Sequence, residues 1–295
     1  MYTSMSEFQV ALLWNKLGST HATTREKRMI TRRLGSLLLS GFIALAPSWS
    51  FELTPGQKDI LRRTNKAYYN LPAEGLKEFQ CSVVPDWSVT LKEELHQDFP
   101  PDHPAIKMLN GIHFWLSLDE KGSAKLTHQI DNIPTEQKAL DGYNQTISGV
   151  EQVLTGFSQS ITPFLFTTIF PDSDASFSLE TRDAVHYVKY KEGPSDVSAN
   201  VKEDLTVTEL LVISPELTAV MRPQFTKTPK GYLITEFSGE YQYANAPNKS
   251  QITMEIEYAE VQGLQLPSRL RVSTVADGAT HKMSFDFKNH EVKKH

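Results

Sequence analysis

Residues 252–258 run Ile-Thr-Met-Glu-Ile-Glu-Tyr, so Ile252, Met254, Ile256 and Tyr258 alternate with Thr253, Glu255 and Glu257. An extended chain with this pattern has one apolar face and one charged face. Similar runs recur from residue 175 onward, at Phe177–Thr181, Ala184–Lys191, Leu205–Ile213, Tyr232–Tyr243, Arg269–Val275 and Met283–Phe287. The breaks between them are rich in turn formers: Gly193-Pro194-Ser195, Pro229-Lys230-Gly231, Asn245 to Asn248, Gly263 and Asp277-Gly278. Consecutive strands joined by short turns predict an antiparallel meander whose apolar face has to be covered.

The cover is found upstream. Leu140, Tyr143, Ile147, Val150, Leu154, Phe157, Ile161 and Phe164 recur at spacings of three and four, the stripe of a long amphipathic helix. The opposite face is Gln, Ser, Thr and Gly rather than ordered opposite charges, which predicts a helix lying on a sheet and not a coiled coil. Residues Ile161 to Phe170, ITPFLFTTIF, are apolar on nearly every face. That segment is buried all round, covers a cavity or meets a partner.

Nearer the N-terminus, Thr54, Pro55 and Gln57 form a helix start, with Ile60, Leu61, Thr64, Tyr68 and Leu71 following on one side. Two alternating runs come next, Phe79, Cys81 and Val83, then Trp87, Val89 and Leu91 beyond Pro85; they predict a strand with a bend or bulge. Pro100 to Gly111 predicts a loop and a short helix carrying Ile106 and Leu109. A hairpin follows, with Phe114, Leu116 and Leu118 on its first strand, Gly122 in the turn and Ala124 to Ile130 as the weaker return.

Residues 29–50 have the anatomy of a secretory signal peptide: Arg32 and Arg33, an uncharged and mostly apolar run Leu34–Ala46, and small Ser48 and Ser50 before a cut at Phe51. The run has 13 residues, and a membrane-spanning helix needs roughly 20, so the processed protein is not expected to span a membrane. Gly35 stands where a twin-arginine signal wants a bulky apolar residue, which favours general secretion. Residues 1–28 then form an upstream extension. Processing leaves 24 basic against 33 acidic side chains, a balance of −9 that argues against nucleic acid and against electrostatic adhesion to anionic membrane. Cys81 is the single cysteine, so no intramolecular disulfide forms, and its alternating surroundings predict a buried, inert thiol.

Motifs for chemistry are wanting. The histidines at 96, 103, 113, 128, 186, 281, 290 and 295 show no paired metal-ligand spacing. Gly156-Phe157-Ser158-Gln159-Ser160 lacks the second Gly of a nucleophile elbow and falls within the helical stripe. Glu93-Glu94 and the pair Glu255 and Glu257 are acidic clusters, but the latter two share the polar face of their strand, which predicts a solvated exterior. No Gly-rich phosphate loop, dinucleotide fingerprint or EF-hand is present. The expectation is therefore a non-enzyme with no metal and no cofactor.

The segment Tyr258-Ala-Glu-Val261-Gln-Gly263-Leu264-Gln-Leu266-Pro267-Ser-Arg269-Leu270-Arg-Val272, followed by Met283-Ser-Phe285-Asp-Phe287-Lys-Asn289, resembles the closing strands of LolA-like outer-membrane lipoprotein-sorting proteins. An exported chain with an early helix, and with helices inserted among antiparallel strands, is similar to that family in layout. The resemblance implies an α+β fold: an antiparallel half-open β-barrel with helices covering its concave apolar face. It also implies periplasmic carriage of a lipid or a lipoprotein acyl chain.

The expected organisation is a single domain over 51–295 with a helical insert at about 136–170. The expected function is a periplasmic, non-catalytic carrier of a hydrophobic ligand held under Phe157 to Phe170. Its partners are a lipid or acylated lipoprotein and an envelope protein. Apolar side chains on the inward registers are the candidate contacts: Trp87, Phe114, Leu116, Phe157, Ile161, Phe164, Leu165, Met254, Ile256, Met283 and Phe285. Periodicity does not separate a hollow interior from a filled one. The same fold with a filled core, docking on a protein partner as an envelope structural or sensor protein, is the alternative; a hydrolase whose residues converge only in three dimensions is the third.

Overall fold

The computed structural model describes residues 53–295 except 96, 134, 136, 172–175, 245, 247 and 277. The segments expected to be a signal peptide and an upstream extension lie outside the described residues, as do positions 136, 175, 245, 247 and 277 of the expected insert and turns. Twelve strands form one antiparallel sheet: β1 (Leu76–Pro85), β2 (Ile112–Asp119), β3 (Ala124–Ile130), β4 (Phe177–Arg182), β5 (Val185–Glu192), β6 (Ser195–Lys202), β7 (Val207–Ile213), β8 (Leu217–Thr228), β9 (Gly231–Tyr243), β10 (Ser250–Val261), β11 (Leu264–Ala276) and β12 (Ala279–Lys294). Their order is β3-β2-β1-β12-β11-β10-β9-β8-β7-β6-β5-β4. Two meanders are thus joined where β1 pairs with β12, and the sheet is not closed: β3 and β4 remain its edges. Among the described residues four helices accompany it, α1 (Pro55–Lys66), α2 (Trp87–Leu95), α3 (Pro104–Leu109) and α4 (Gln137–Leu165).

The sheet is strongly curved, and α4 shows it. The Thr162 hydroxyl oxygen lies 3.4 Å from the Gly122 carbonyl oxygen in the β2–β3 turn, while Phe164 stacks edge-on against Phe225 of β8 at 5.3 Å. Strands β2 and β8 are six steps apart in the sheet, which in a flat sheet is about 29 Å at the usual inter-strand spacing. Two residues on one helix turn reach both only if the sheet wraps around them. The apolar stripe of α4 therefore lies in the trough of a half-open barrel.

Several expectations need correction. Trp87, Val89 and Leu91 are on a helix and not a strand: Pro85 ends β1, and Asp86 Oδ1 accepts from the backbone N–H groups of Ser88 and Val89, the capping pattern that starts α2. Helix α1 carries the expected reciprocal Thr54–Gln57 cap but stops at Lys66. Beyond it, Tyr68 bridges Tyr232 of β9 in parallel and Leu71 lies in a turn.

Strands β6 and β8 were not expected. The inward positions of β6 are Ser195, Val197, Ala199 and Val201, two of them small, so their alternation is faint. Strand β8 contains Pro223, which argues against a central strand. The pairing of β7 with β8 begins only at Leu210, across from Met221, so Pro223 sits beyond the reach of that neighbour. Leu205, expected to open β7, is instead in the preceding turn with φ 71°.

Gly231 is where the N-terminal segment crosses the sheet. Its φ is +124°, and an added Cβ would lie 2.7 to 2.8 Å from backbone atoms of Ala67, Tyr68 and Tyr69. Gly263 also has positive φ, +79°, but a Cβ there meets nothing within 4 Å. Gly263→Ala should cost about 1–2 kcal/mol, the left-handed penalty alone. Gly231→Ala should cost clearly more, about 3 kcal/mol, because backbone must also move. Denaturant unfolding of both variants checks this; equal losses would mean that the close approach does not hold the segment.

Candidate functional site

Helix α4 keeps 29 residues helical although Gly142, Gly149 and Gly156 weaken it and Pro163 interrupts its last turn. Burial of its stripe supplies the compensation. Phe157 stacks on Phe287 of β12 with centroids 5.6 Å apart and planes 22° from parallel, and Phe164 meets Tyr68 at 5.9 Å as well as Phe225. The hydroxyls of Ser158, Ser160 and Thr162 donate back to carbonyls one turn earlier, at Leu154, Gly156 and Ser158. The serine of the incomplete nucleophile elbow is thus engaged inside a helix.

The segment after α4 is pinned by side-chain amides. Asn65 of α1 donates to the Phe170 carbonyl at 2.9 Å and accepts from the Phe170 N–H at 3.0 Å. The Leu71 N–H donates to the Leu165 carbonyl, and Asn70 donates to the Thr167 carbonyl. Within residues 161–170, Ile161, Pro163 through Phe166, Ile169 and Phe170 are buried, while Thr167 and Thr168 are exposed.

The structure brings most of the candidate contacts into one continuous core. Phe114, Leu116, Phe157, Ile161, Phe164, Leu165, Met254, Ile256 and Phe285, together with Trp87, are between 0 and 4 % exposed and belong to a single cluster. Trp87 reaches it from α2, and with Phe114 it lines a pocket of about 120 Å³ at the end of β1 and β2. Met283 is half-buried and lines a larger pocket of about 430 Å³ between α2 and strands β10–β12, whose other walls include Asp86, Arg269, Arg271 and Lys282. That pocket opens on the charged face of the sheet, where Arg271 pairs with Glu255 and Glu257 and Arg269 pairs with Asp286. Hydrogen bonding from Arg269 holds the Asp286 carboxyl below its usual range.

Two polar atoms in the interior were not legible from the sequence. The phenol oxygens of Tyr190 on β5 and Tyr258 on β10 are buried with no hydrogen-bond partner among the described residues. Burial pushes both phenols above their ordinary range. By contrast, the Tyr68 hydroxyl donates to the Leu205 carbonyl and accepts from the Val207 N–H, and the Tyr69 hydroxyl accepts from the Gln265 N–H. A Tyr at an inward strand register was the only available signal, and it does not reveal which hydroxyls find partners.

Among the described residues no three His, Cys, Asp or Glu side chains stand together as a metal site. His290 Nε2 donates to the Pro267 carbonyl at 2.8 Å, and burial lowers its pKa. No helix among the described residues is long and apolar enough to cross a membrane.

Cys81 on β1 is buried, with its thiol directed at the Leu116 carbonyl at 3.8 Å, and burial pushes its pKa up to about 12. A neutral thiol without solvent access is a poor nucleophile. Alkylation of the native protein at pH 8 should therefore proceed no faster than its unfolding; rapid modification without unfolding would show the core open near β1. No family model, curated protein or solved structure matches this chain.

Proposed function

We propose that this protein is a periplasmic, non-catalytic carrier of a hydrophobic ligand, a lipid or a lipoprotein acyl chain, in the manner of the LolA-like proteins its closing strands resemble. The supporting observation is the trough: an unclosed antiparallel sheet presents a continuous apolar face to a single long helix, and the buried hydroxyls of Tyr190 and Tyr258 on that sheet have no partner among the described residues. Buried polar groups nearly always have partners, and an ester or headgroup oxygen of a lipid would supply one.

The alternative, a filled core that serves an envelope partner, is favoured by one specific observation: the candidate contacts are almost fully buried against each other. Native and denaturing mass spectrometry of the protein purified from the periplasm separates the two. A non-covalent mass that fits a lipid and is lost on denaturation is the expected result; an empty protein from lipid-replete cells supports the filled core.

The orphaned hydroxyl gives a second handle. On the carrier reading, Tyr258→Phe should stabilise the lipid-free protein by about 1 kcal/mol, since an unsatisfied buried group is removed, and should lower the lipid retained through purification. Unchanged lipid content in a more stable variant would leave Tyr258 without a ligand role.

A further inference from the structure

We propose that the tip of the β10–β11 hairpin, residues 256–268, parts from the sheet as a unit and is the gate through which a hydrophobic ligand reaches the trough; that the gate serves a ligand rests on the carrier reading. Among the described residues β10 pairs with β9 only from Ser250 to Glu255, and β11 pairs with β12 only from Arg269 to Ala276. The two strands of the tip pair with each other throughout, from Ile256 opposite Leu270 to Val261 opposite Leu264. The sheet is therefore split on both sides of the tip, while its own ladder is complete.

The split has local causes. On one side, the Tyr232 N–H of β9 donates to the Ala67 carbonyl and the Tyr232 carbonyl accepts from the Tyr69 N–H, at 2.8 and 2.9 Å, so the N-terminal segment takes the place beside β9 that β10 vacates. On the other side, Pro267 has no N–H to offer β12. Side chains stand in for the ladder. The Tyr69 hydroxyl accepts from the Gln265 N–H at 3.0 Å, His290 donates to the Pro267 carbonyl at 2.8 Å, and Lys294 and Lys230 donate to the carbonyls of Gln262 and Gly263 at 2.8 and 3.2 Å.

The tip is also built to move as one piece. It is closed by a two-residue turn with φ +53° at Gln262 and +79° at Gly263, the tight hairpin connection. At its root Glu257 is opposite Arg269 and Tyr258 is opposite Pro267, which leaves Ser268 as an extra residue in a bulge, a natural bending point. Lifting the tip breaks side-chain ties and uncovers few large apolar groups, chiefly Leu264 and Leu266, against nine on α4. The β1–β12 seam and the segment on β9 stay paired. The unpartnered Tyr258 hydroxyl lies on this tip.

Opening and gating are tested separately. Leu266 on the tip and Leu270 beyond the bulge are both 0 % exposed. Leu266→Cys and Leu270→Cys are alkylated with iodoacetamide under native conditions at pH 8, with buried Cys81 reporting global unfolding in the same molecule. The thiol introduced at 266 should react at least about tenfold faster than Cys81, and the one at 270 no faster than Cys81. If Leu266→Cys does not fold, exchange of the Gln265 amide in the wild type replaces it: the rate should not depend on low concentrations of denaturant, whereas exchange through unfolding does. Gating is followed by uptake of dansyl-undecanoic acid into lipid-stripped protein. Tyr69→Phe combined with Lys294→Met removes two ties and should speed uptake at least about threefold. Lys293→Met, which breaks the pair with Glu78 across the seam and touches no tie, should match the wild type; unaltered circular dichroism shows that each variant folds. Alkylation at 266 no faster than at Cys81, Gln265 exchange only through unfolding, or equal uptake by the loosened and wild-type proteins overturns the gate. A wild type that takes up no probe overturns it too; lipid found by native mass spectrometry would then leave the carrier reading standing, and its absence would remove both.

Discussion

Everything in this fold depends on one crossing. The N-terminal meander ends at β3, one edge of the sheet, and the next strand, β4, is the opposite edge. The chain must therefore traverse all the intervening strands, and it does so as a helix of 29 residues, about 43 Å long. Running the crossing over the apolar face buries the helix stripe and the sheet face in one step. It also accounts for the curvature: a helix narrower than the sheet it covers is fully enclosed only when the sheet bends around it, and Thr162 and Phe164 touch strands six positions apart.

The rest of the chain secures the two ends of that crossing. At the C-terminal end, Asn65, Asn70 and Leu71 satisfy backbone groups between Leu165 and Phe170, which would otherwise be buried without partners. Helix α1 is thus less a cover than a clamp, and Tyr68 and Gly231 bind that clamp to β9 and the β6–β7 turn. At the N-terminal end, the Tyr143 hydroxyl donates to the Met108 carbonyl of α3, and His128 of β3 pairs with Glu151 of α4 at 3.0 Å. The seam between β1 and β12 closes the two meanders into one sheet, so the first and last described strands stabilise each other.

How much of this could be seen in the sequence follows from which interactions are local. The α4 stripe and the alternation in β10 repeat over many residues, and the elements they predict are present. Strands β6 and β8 were missed because Ala199, Ser195 and Pro223 carry information only through their neighbours. Trp87 was assigned to a strand because Trp87, Val89 and Leu91 happen to alternate, while the Asp86 cap that decides for a helix involves bonds no periodicity records. The candidate contacts were chosen for inward registers, and all but the half-buried Met283 are buried, Trp87 from a helix; whether they enclose a ligand depends on long-range packing. The amide clamp, joining residues 105 positions apart, left no trace in either period.

The same packing constrains how a ligand could be taken up. Helix α4 buries nine apolar side chains, from Tyr143 to Leu165. At about 1.5–3 kcal/mol for each large one, lifting the whole helix off the sheet would cost roughly 15 kcal/mol or more. That is as much as the entire stability of an ordinary domain, so such a movement is unfolding rather than opening. A lid that swings away is excluded on energetic grounds. On the carrier reading, ligand entry would have to proceed by local repacking that exposes few side chains at once, along a flank of α4 near the edge strand β3 or at the end where the trough runs out. The half-open architecture suits this: the unpaired edges let one side of the trough relax while the β1–β12 seam and the α1 clamp hold the other in place.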